Sequence, residues 1–373
     1  MNLVKPRRIL LVSVSIGTGH TQAALAIEEY WRRKYPDAEI RHVDFIEQDS
    51  LSIDKIMKET YIKVIDVFPM LYDMFYRFTQ KDRKGSVLQT GISWAMKNRM
   101  LRLIRQENPD IVVMTHPFPC GAASILKRQK LISVPLVAMI TDFTVHSLWR
   151  YKEIDLYCVG ADHMVAPLHR TGIPRDKIVV TGIPVKSVFF TAKKENYSLS
   201  RPVKVLLMGG GLGLGSYETI LERLDKVKQI DELIVISGHN ASLYNMLVAL
   251  KQKLHTPMVV YGYSTEIPQL MQEAALLVTK PGALTCMEAI TVGLPMVLFD
   301  AIPGQEEANA AFMEEAGYGR WARDIHNLED VVTALLADEK KLIGMSRREK
   351  EWQVNGAANV IQAIETFLTK KMS

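Results

Sequence analysis

LLVTKPGALTCMEAITVGLPMVLFD, residues 276–300, decides the fold. A β-branched run ends in Lys280, Pro281 and Gly282, an apolar stretch of helical length follows, and a second apolar run starts after Gly293 and Leu294. Strand, glycine turn, helix and strand make a βαβ unit. Both runs are continuous instead of alternating, as parallel strands covered by helices on both faces require.

The same grammar extends in both directions. Upstream lie strands at 203–209, 233–238 and 258–263, separated by helical stretches at 217–228, 241–253 and 266–273; downstream come a helix at 305–315 and further helices to the end. Before residue 186 the alternation runs through strands at 8–15, 38–43, 110–114, 134–140, 154–160 and 177–185, with helices at 21–34, 121–128 and 161–171. A chain of 373 residues exceeds one ordinary core,. The prediction is an α/β protein of two doubly wound domains, 1–185 and 186–355, with a polar, aperiodic linker at 186–202 and a C-terminal helix, 356–373, packing back on the first domain. Ligands of open α/β sheets bind at the carboxyl ends of the strands, so the site is expected between the halves.

Composition narrows the class. With 48% hydrophobic and 23% charged residues the chain is globular, neither disordered nor collagen-like,. Cys120, Cys158 and Cys286 form no Cys-x-x-Cys pair and leave an odd thiol, as in a reduced, cytoplasmic protein without a zinc ribbon,. The basic start Lys5, Arg7, Arg8 before ILLVSVS imitates a secretory leader, but the run is short, β-branched and ends in a glycine loop, so it reads as a strand,. No run reaches the ~18 to 20 apolar residues of a membrane span. The net charge of +5 does not by itself suggest nucleic acid, yet it is concentrated: residues 61–105 hold nine Lys and Arg against three Asp,.

Four segments could carry chemistry. SIGTGH, 15–20, ends the first strand and opens a helix, so its glycines bring backbone N–H groups and the positive helix end toward a ligand,. His20 is a candidate acceptor for a hydroxyl proton, with an ordinary pKa near neutrality; the alternative is a histidine that caps a turn. MGGGLGLGSYE, 208–218, imitates a dinucleotide fingerprint but has Ser216 where the last glycine belongs, and there is no P-loop Gly-Lys-Ser/Thr,. Gly209, Gly210, Gly211 and Gly213 are left as a phosphate cradle. In the stretch from Lys280, Gly282, Ala283 and Thr285 open a helix suited to a diphosphate, and Glu288, two turns in, suits a ribose diol,. The next strand leads into Pro303, Gly304, Gln305 and Glu306, with Asn309 one turn along on the face of Gln305, a set suited to sugar hydroxyls,.

SIGTGHTQAALAI, TDFTVHSLW, VTGIPV, MGGG, GHNASL, YGYS, KPGALTCMEA and PGQEEANAAF, in this order across nearly the whole chain, resemble the diacylglycerol glycosyltransferases. These comprise the bacterial processive diacylglycerol glucosyltransferases and the plant monogalactosyldiacylglycerol synthases, relatives of the lipid II-forming glycosyltransferase. The resemblance implies a GT-B fold, the nucleotide sugar in the C-terminal domain, the lipid acceptor in the N-terminal domain, and inversion without a cofactor or catalytic metal. It places the catalytic or acceptor-orienting histidine at His20 after Gly17 and Gly19, the nucleotide helix at Gly282, Thr285 and Glu288, and the sugar contacts at Gln305, Glu306 and Asn309. Two positions depart from relatives: Thr18 stands where plant members have glycine, and Ala283 where many members have a second glycine.

His116, Asp142 and His146, at or near the ends of two N-terminal strands, become candidates for orienting His20 or holding the glycerol hydroxyl. Aromatics at 61, 68, 72, 75, 76 and 78 beside the basic run would read on their own as core. The resemblance turns Phe68, Tyr72, Phe75, Tyr76, Phe78, Lys81, Arg83 and Lys84 into candidates for contact with an anionic membrane. The implied activity is transfer of a hexose, glucose before galactose, from a UDP-sugar to diacylglycerol or glycosyl-diacylglycerol, at the inner face of the cell membrane. A lipid II type UDP-N-acetylglucosamine transferase and a UDP-sugar epimerase stay open as alternatives.

Overall fold

The computed structural model describes residues 6–15, 18–46, 83–209, 216–352 and 354–372. In the first half, β1 (Arg8–Ser13), β2 (Glu39–Asp44), β3 (Ile111–Met114), β4 (Leu136–Met139), β5 (Leu156–Val159) and β6 (Ile178–Val180) form one parallel sheet in the order β2-β1-β3-β4-β5-β6. Its helices are α1 (Gly19–Lys34), α2 (Arg83–Glu107), α3 (Pro117–Arg128) and α4 (Val165–Arg170). A short helix α5 (Ser187–Thr191) leads to the second half. There β7 (Lys204–Met208), β8 (Glu232–Ile236), β9 (Met258–Tyr261), β10 (Leu276–Thr279), β11 (Met296–Leu298) and β12 (Gly319–Trp321) form a parallel sheet in the order β12-β11-β10-β7-β8-β9. The helices of that half are α6 (Tyr217–Leu224), α7 (Ala241–Leu250), α8 (Ile267–Glu273), α9 (Ala283–Val292), α10 (Gln305–Glu315), α11 (Leu328–Leu336) and α12 (Glu339–Glu351), and α13 (Gly356–Met372) ends the chain.

Each sheet changes direction once, between β1 and β3 and between β7 and β10, the topological switch points where such folds bind ligands,. His20, His116, Gly209 and Gly282 follow β1, β3, β7 and β10 in the chain, His20 as the second residue of α1. Strands β3, β4, β5 and β10 are buried throughout, which explains their unbroken apolar sequence,. Helix α1 buries Ala23, Ala24, Ala26, Ile27 and Trp31 on one face. It ends in Arg32, Arg33 and Lys34, charges that complement the negative end of its dipole,. Helix α9 stops at Gly293, whose left-handed φ of 79° lets its N–H close back on Ala289 and Ile290,.

Three expectations are corrected. The stretch after residue 185 is no polar tether: Val188, Phe189 and Phe190 fall on one helical turn, Phe189 is buried, and Tyr197 donates from its hydroxyl to the Ala275 carbonyl at 2.7 Å. The chain after α10 is not all helical, since β12 pairs with β11. A Cβ on Gly319 would come within 2.9 Å of Met296 Cγ, so glycine is what lets this edge strand approach. The halves also share a core: Ile9, Leu11, Ile27 and Trp31 belong to one buried cluster with Leu206, Leu277, Met287 and the α13 residues Val360, Ile361 and Ile364. Helix α13 reaches the first half through Glu365, which accepts from Lys34 Nζ at 2.7 Å and from the Tyr35 hydroxyl, and through Asn359, which donates to the Thr181 carbonyl at 3.0 Å.

Candidate active site

Helices α1 and α9 start opposite each other: a Cβ on Gly19 would lie 3.8 Å from Cβ of Leu284. His20, half-buried in the first turn of α1, sits where three chain segments meet. Its Nδ1 lies 2.7 Å from the Thr115 carbonyl and 2.7 Å from Thr141 Oγ1. A carbonyl only accepts, so Nδ1 carries the hydrogen and Nε2 keeps its lone pair. Thr115 Oγ1 donates to the His20 carbonyl at 2.9 Å, and the His116 ring meets the His20 ring edge to face with centroids 4.6 Å apart. Burial pushes His20 from 6.5 down to about 4, against the Thr115 bond, which raises it. The near-neutral value expected from sequence is thereby corrected: the imidazole is uncharged at pH 7 because desolvation outweighs its hydrogen bond.

The acceptor-side candidates divide. His116 is buried and its Nδ1 accepts the Phe118 N–H at 3.2 Å, capping α3; burial holds it well below 6.5. His146 accepts the Leu148 N–H at 3.2 Å and caps the turn at 147–149. Both imidazoles cap backbone turns, and His116 also braces His20. Asp142 reaches across to the second half, where the Gln305 side chain donates to its carboxylate; burial raises Asp142 from 3.8 to about 6, and Glu306 adds to the rise.

On α9, Gly282, Thr285 and Glu288 are half-buried, whereas residues 283, 284, 286, 287 and 289 are buried, so the three expected nucleotide residues share the one accessible face. Ala283 is 6% exposed and contributes its backbone. No side chain caps this helix, and a Cβ on Gly282 would meet nothing within 4 Å. The first-turn amides of Ala283, Leu284 and Thr285 have no intrahelical acceptors, the arrangement that suits an anion at a helix start. Burial raises Glu288 from 4.5 to about 8, with the charge of Lys186 acting the other way. Lys280, 3.5 Å from Asp300, adds a cation beside the same turn.

The remaining donor-side candidates diverge. Gly209 is corrected as a phosphate donor, because its N–H is already taken by the Tyr217 hydroxyl at 2.6 Å, which donates in turn to the Ile236 carbonyl at 3.0 Å. Gly17, Gly210, Gly211 and Gly213 lie outside the described residues. Gln305 and Glu306 are half-buried at the start of α10, and Glu306 Oε2 accepts the Ile302 N–H at 2.9 Å. Burial raises Glu306, and the Ile302 bond and Lys280 oppose that rise. Asn309 is 1% exposed with both ends of its amide engaged: Nδ2 donates to the Pro281 carbonyl at 3.1 Å and Oδ1 accepts from the Phe143 N–H at 3.4 Å. The shared helix face expected for Gln305 and Asn309 exists, but Asn309 lies beneath it.

Sequence reasoning passed over two features of this cleft. Thr141, the neighbour of Asp142 in the TDFTVHSLW stretch, touches the imidazole. His239 and Tyr263 stack at 4.1 Å with an 18° tilt beyond β8 and β9, a flat surface at the carboxyl edge of the second sheet. Their signal was position: His239 stands three residues past the end of β8 and Tyr263 two residues past the end of β9. Among the described residues no three His, Cys, Asp or Glu are grouped to hold a metal ion. The three cysteines are buried and free.

Known proteins match this arrangement in both halves. Residues 20–185 fit the monogalactosyldiacylglycerol (MGDG) synthase family model and residues 205–364 the glycosyltransferase family 28 C-terminal domain. A processive diacylglycerol beta-glucosyltransferase of Bacillus cereus is 31% identical over 355 residues, 93% of this chain and 90% of that protein. Among solved structures, Acinetobacter baumannii MurG superposes with a TM-score of 0.61 at 17% identity, covering 97% of this chain and 100% of MurG. Anabaena HepE in complex with UDP gives 0.59 at 14%, covering 97% and 100%. The two structures establish the GT-B fold, and with sequence similarity that runs through both halves, the chain belongs to the family of the processive diacylglycerol beta-glucosyltransferases.

Proposed function

We propose that this chain transfers glucose from UDP-glucose to the free hydroxyl of diacylglycerol, and to the resulting glucolipid, with inversion at the anomeric carbon. Residues 1–185 hold the acceptor and 186–355 the donor. The observation that carries the reading is the pairing of the two helix starts: an imidazole whose Nδ1 is held by Thr115 and Thr141, which leaves Nε2 as the basic nitrogen, across from the uncapped first turn of α9.

The chemistry follows from these groups. His20 Nε2 takes the acceptor proton as the oxygen bonds to the anomeric carbon, and the bond from that carbon to the diphosphate breaks. Negative charge grows on the departing UDP, where the first-turn amides of α9 and Lys280 meet it without reorganising. Glu288, mostly protonated at pH 7, both donates to and accepts from the ribose hydroxyls. Gln305 and Glu306 face the sugar.

The enzyme works from the membrane surface, peripheral on its inner face. Among the described residues no helix is long and apolar enough to cross a membrane. Phe68, Tyr72, Phe75, Tyr76, Phe78 and Lys81 lie outside the described residues, as do the side chains of Arg83 and Lys84. The described part of α2 supports the surface reading, because Trp94 is 62% exposed with Lys97 Nζ 5.3 Å from its ring centroid,.

The test is to supply labelled UDP-glucose, UDP-galactose or UDP-N-acetylglucosamine with vesicles of diacylglycerol and anionic lipid. Label from UDP-glucose is expected in β-linked lipid products. Label entering lipid only from UDP-galactose would change the donor, and no labelled lipid from any of the three would overturn the reading.

A further inference from the structure

Three consecutive residues after β4 each reach a different part of the cleft. Thr141 touches the base, as described. Asp142 accepts from Gln305 at the first position of α10. Phe143, wholly buried, stacks on Phe312 of α10 at 5.3 Å and 29° and tilts onto Trp352 at 5.8 Å. Its backbone is pinned at both ends: the N–H goes to Asn309 Oδ1 at 3.4 Å, and the carbonyl lies 2.6 Å from His163 Nε2. The His163 ring rests on Phe312 at 4.4 Å. Through its other end Asn309 holds the Pro281 carbonyl, immediately before the first turn of α9.

We propose that Thr141, Asp142 and Phe143, with Asn309, form a clasp that sets the position of His20 relative to the donor, and that Asn309 is a positioning residue acting through this clasp and not a sugar ligand. The inference rests on the proposed function for its choice of base and donor. The clasp is an unbroken covalent and hydrogen-bonded path: imidazole, Thr141, Phe143, Asn309, Pro281, α9. Every link is buried or half-buried. A seated Phe143 therefore fixes the imidazole against both α9 and α10 in one movement, whereas without it the halves would still bind their own substrates but meet out of register. Misplacing reacting groups by about 1 Å costs on the order of 100-fold in rate.

The experiment uses the full chain with diacylglycerol vesicles. Asn309→Ala, Phe143→Ala and Phe143→Leu are compared for kcat, KM for UDP-glucose, UDP affinity by calorimetry, and release of free glucose to water. Asn309→Ala is expected to lower kcat roughly 10- to 100-fold while UDP affinity stays within about 3-fold and hydrolysis rises relative to transfer. Phe143→Leu, which keeps apolar volume in the socket, is expected to recover part of the activity that Phe143→Ala loses, and it stands in should Phe143→Ala fail to fold. An Asn309→Ala enzyme with normal kcat, or one whose loss lies wholly in KM for UDP-glucose, overturns the clasp. His20→Ala in the same assay reads the proposed base separately. If His20→Ala transfers normally the base is wrong and the clasp loses the group it positions, so both fall. If His20→Ala is inactive and Asn309→Ala is normal, only the clasp falls.

Discussion

The helices that face each other across the cleft, α1 and α9, leave their parallel strands by the same route and carry opposite chemistry. Gly19 opens the first and Gly282 stands at the N-cap of the second, neither has a side-chain cap, and each presents the positive end of its dipole to the cleft,. In α9 the first turn is Ala283, Leu284 and Thr285, so the backbone itself is the functional group and the side chains mostly face inward. In α1 the second residue is an imidazole held by Thr115 and Thr141. The scaffold supplies an anion-friendly helix end in both places, and one side chain, fixed in one tautomer, turns one of them into a site for proton transfer.

Removing that side chain is the largest test of the difference. His20→Ala is expected to lower turnover at least about 100-fold, close to 2.7 kcal/mol of transition-state stabilisation, and to leave UDP affinity unchanged, since the nucleotide rests on α9. Single-turnover kinetics and calorimetry on one preparation check both halves of the statement. The pH profile sharpens it. Burial places His20 at about 4, so the neutral base persists as pH falls from 7 to near 5, and an acid limb close to 6 would belong to Asp142, raised to about 6. A His20→Ala enzyme that turns over normally would make α1 a second backbone device.

On the other helix the expected effect is on binding. Glu288→Ala is expected to weaken UDP-glucose binding about 10-fold, the scale of losing one hydrogen bond to a strongly polar group, with little change in kcat. Because burial lifts Glu288 to about 8, its neutral form dominates at pH 7 and Glu288→Gln should bind within about 3-fold of wild type. As pH rises through 8 the wild-type carboxyl ionises and its affinity should change, whereas the Gln variant should stay flat. Calorimetry at pH 6.5 and 9 reads this, and a Gln variant as weak as the Ala variant at pH 6.5 would show that the ionised form is the one that binds.

Much of this contrast was written in local sequence, and the remainder depends on contacts between distant residues. The β-branched runs and glycine turns marked both sheets, and α10 occupies the stretch read for it, residues 305–315. Helix α3 begins at Pro117, earlier than the stretch starting at residue 121, because a proline at the first position gives up no intrahelical hydrogen bond and His116 caps the turn through the Phe118 N–H,. Strand β12 has no periodic signal in three residues and exists because Gly319 fits against Met296. Gly209 looked like a phosphate donor until Tyr217, eight residues on, was found on its N–H. Asn309 shares a helix face with Gln305, and only the approach of Phe143 from the other half shows that its amide is engaged.

The smallest effect bears most directly on why α1 and α9 differ. Thr141 Oγ1 accepts part of the Nδ1 hydrogen that the Thr115 carbonyl also accepts. When His20 takes a proton at Nε2 the ring becomes a cation, its Nδ1–H becomes a stronger donor, and both acceptors gain. Thr141→Val keeps the shape and removes one of them, so it should cost about 0.5 to 1.5 kcal/mol, or roughly 2- to 10-fold in turnover, with KM for UDP-glucose unchanged. Thr141→Ser, which keeps the hydroxyl, should restore most of it. The Thr115 carbonyl still fixes the tautomer in the Val variant, so the loss measures what the Thr141 hydroxyl adds, both as support for the developing imidazolium and as the first link of the clasp. Equal turnover in all three enzymes would mean that a backbone carbonyl suffices. Helix α1 would then owe its function, as α9 does, to main-chain groups, and the only difference between them would be the imidazole.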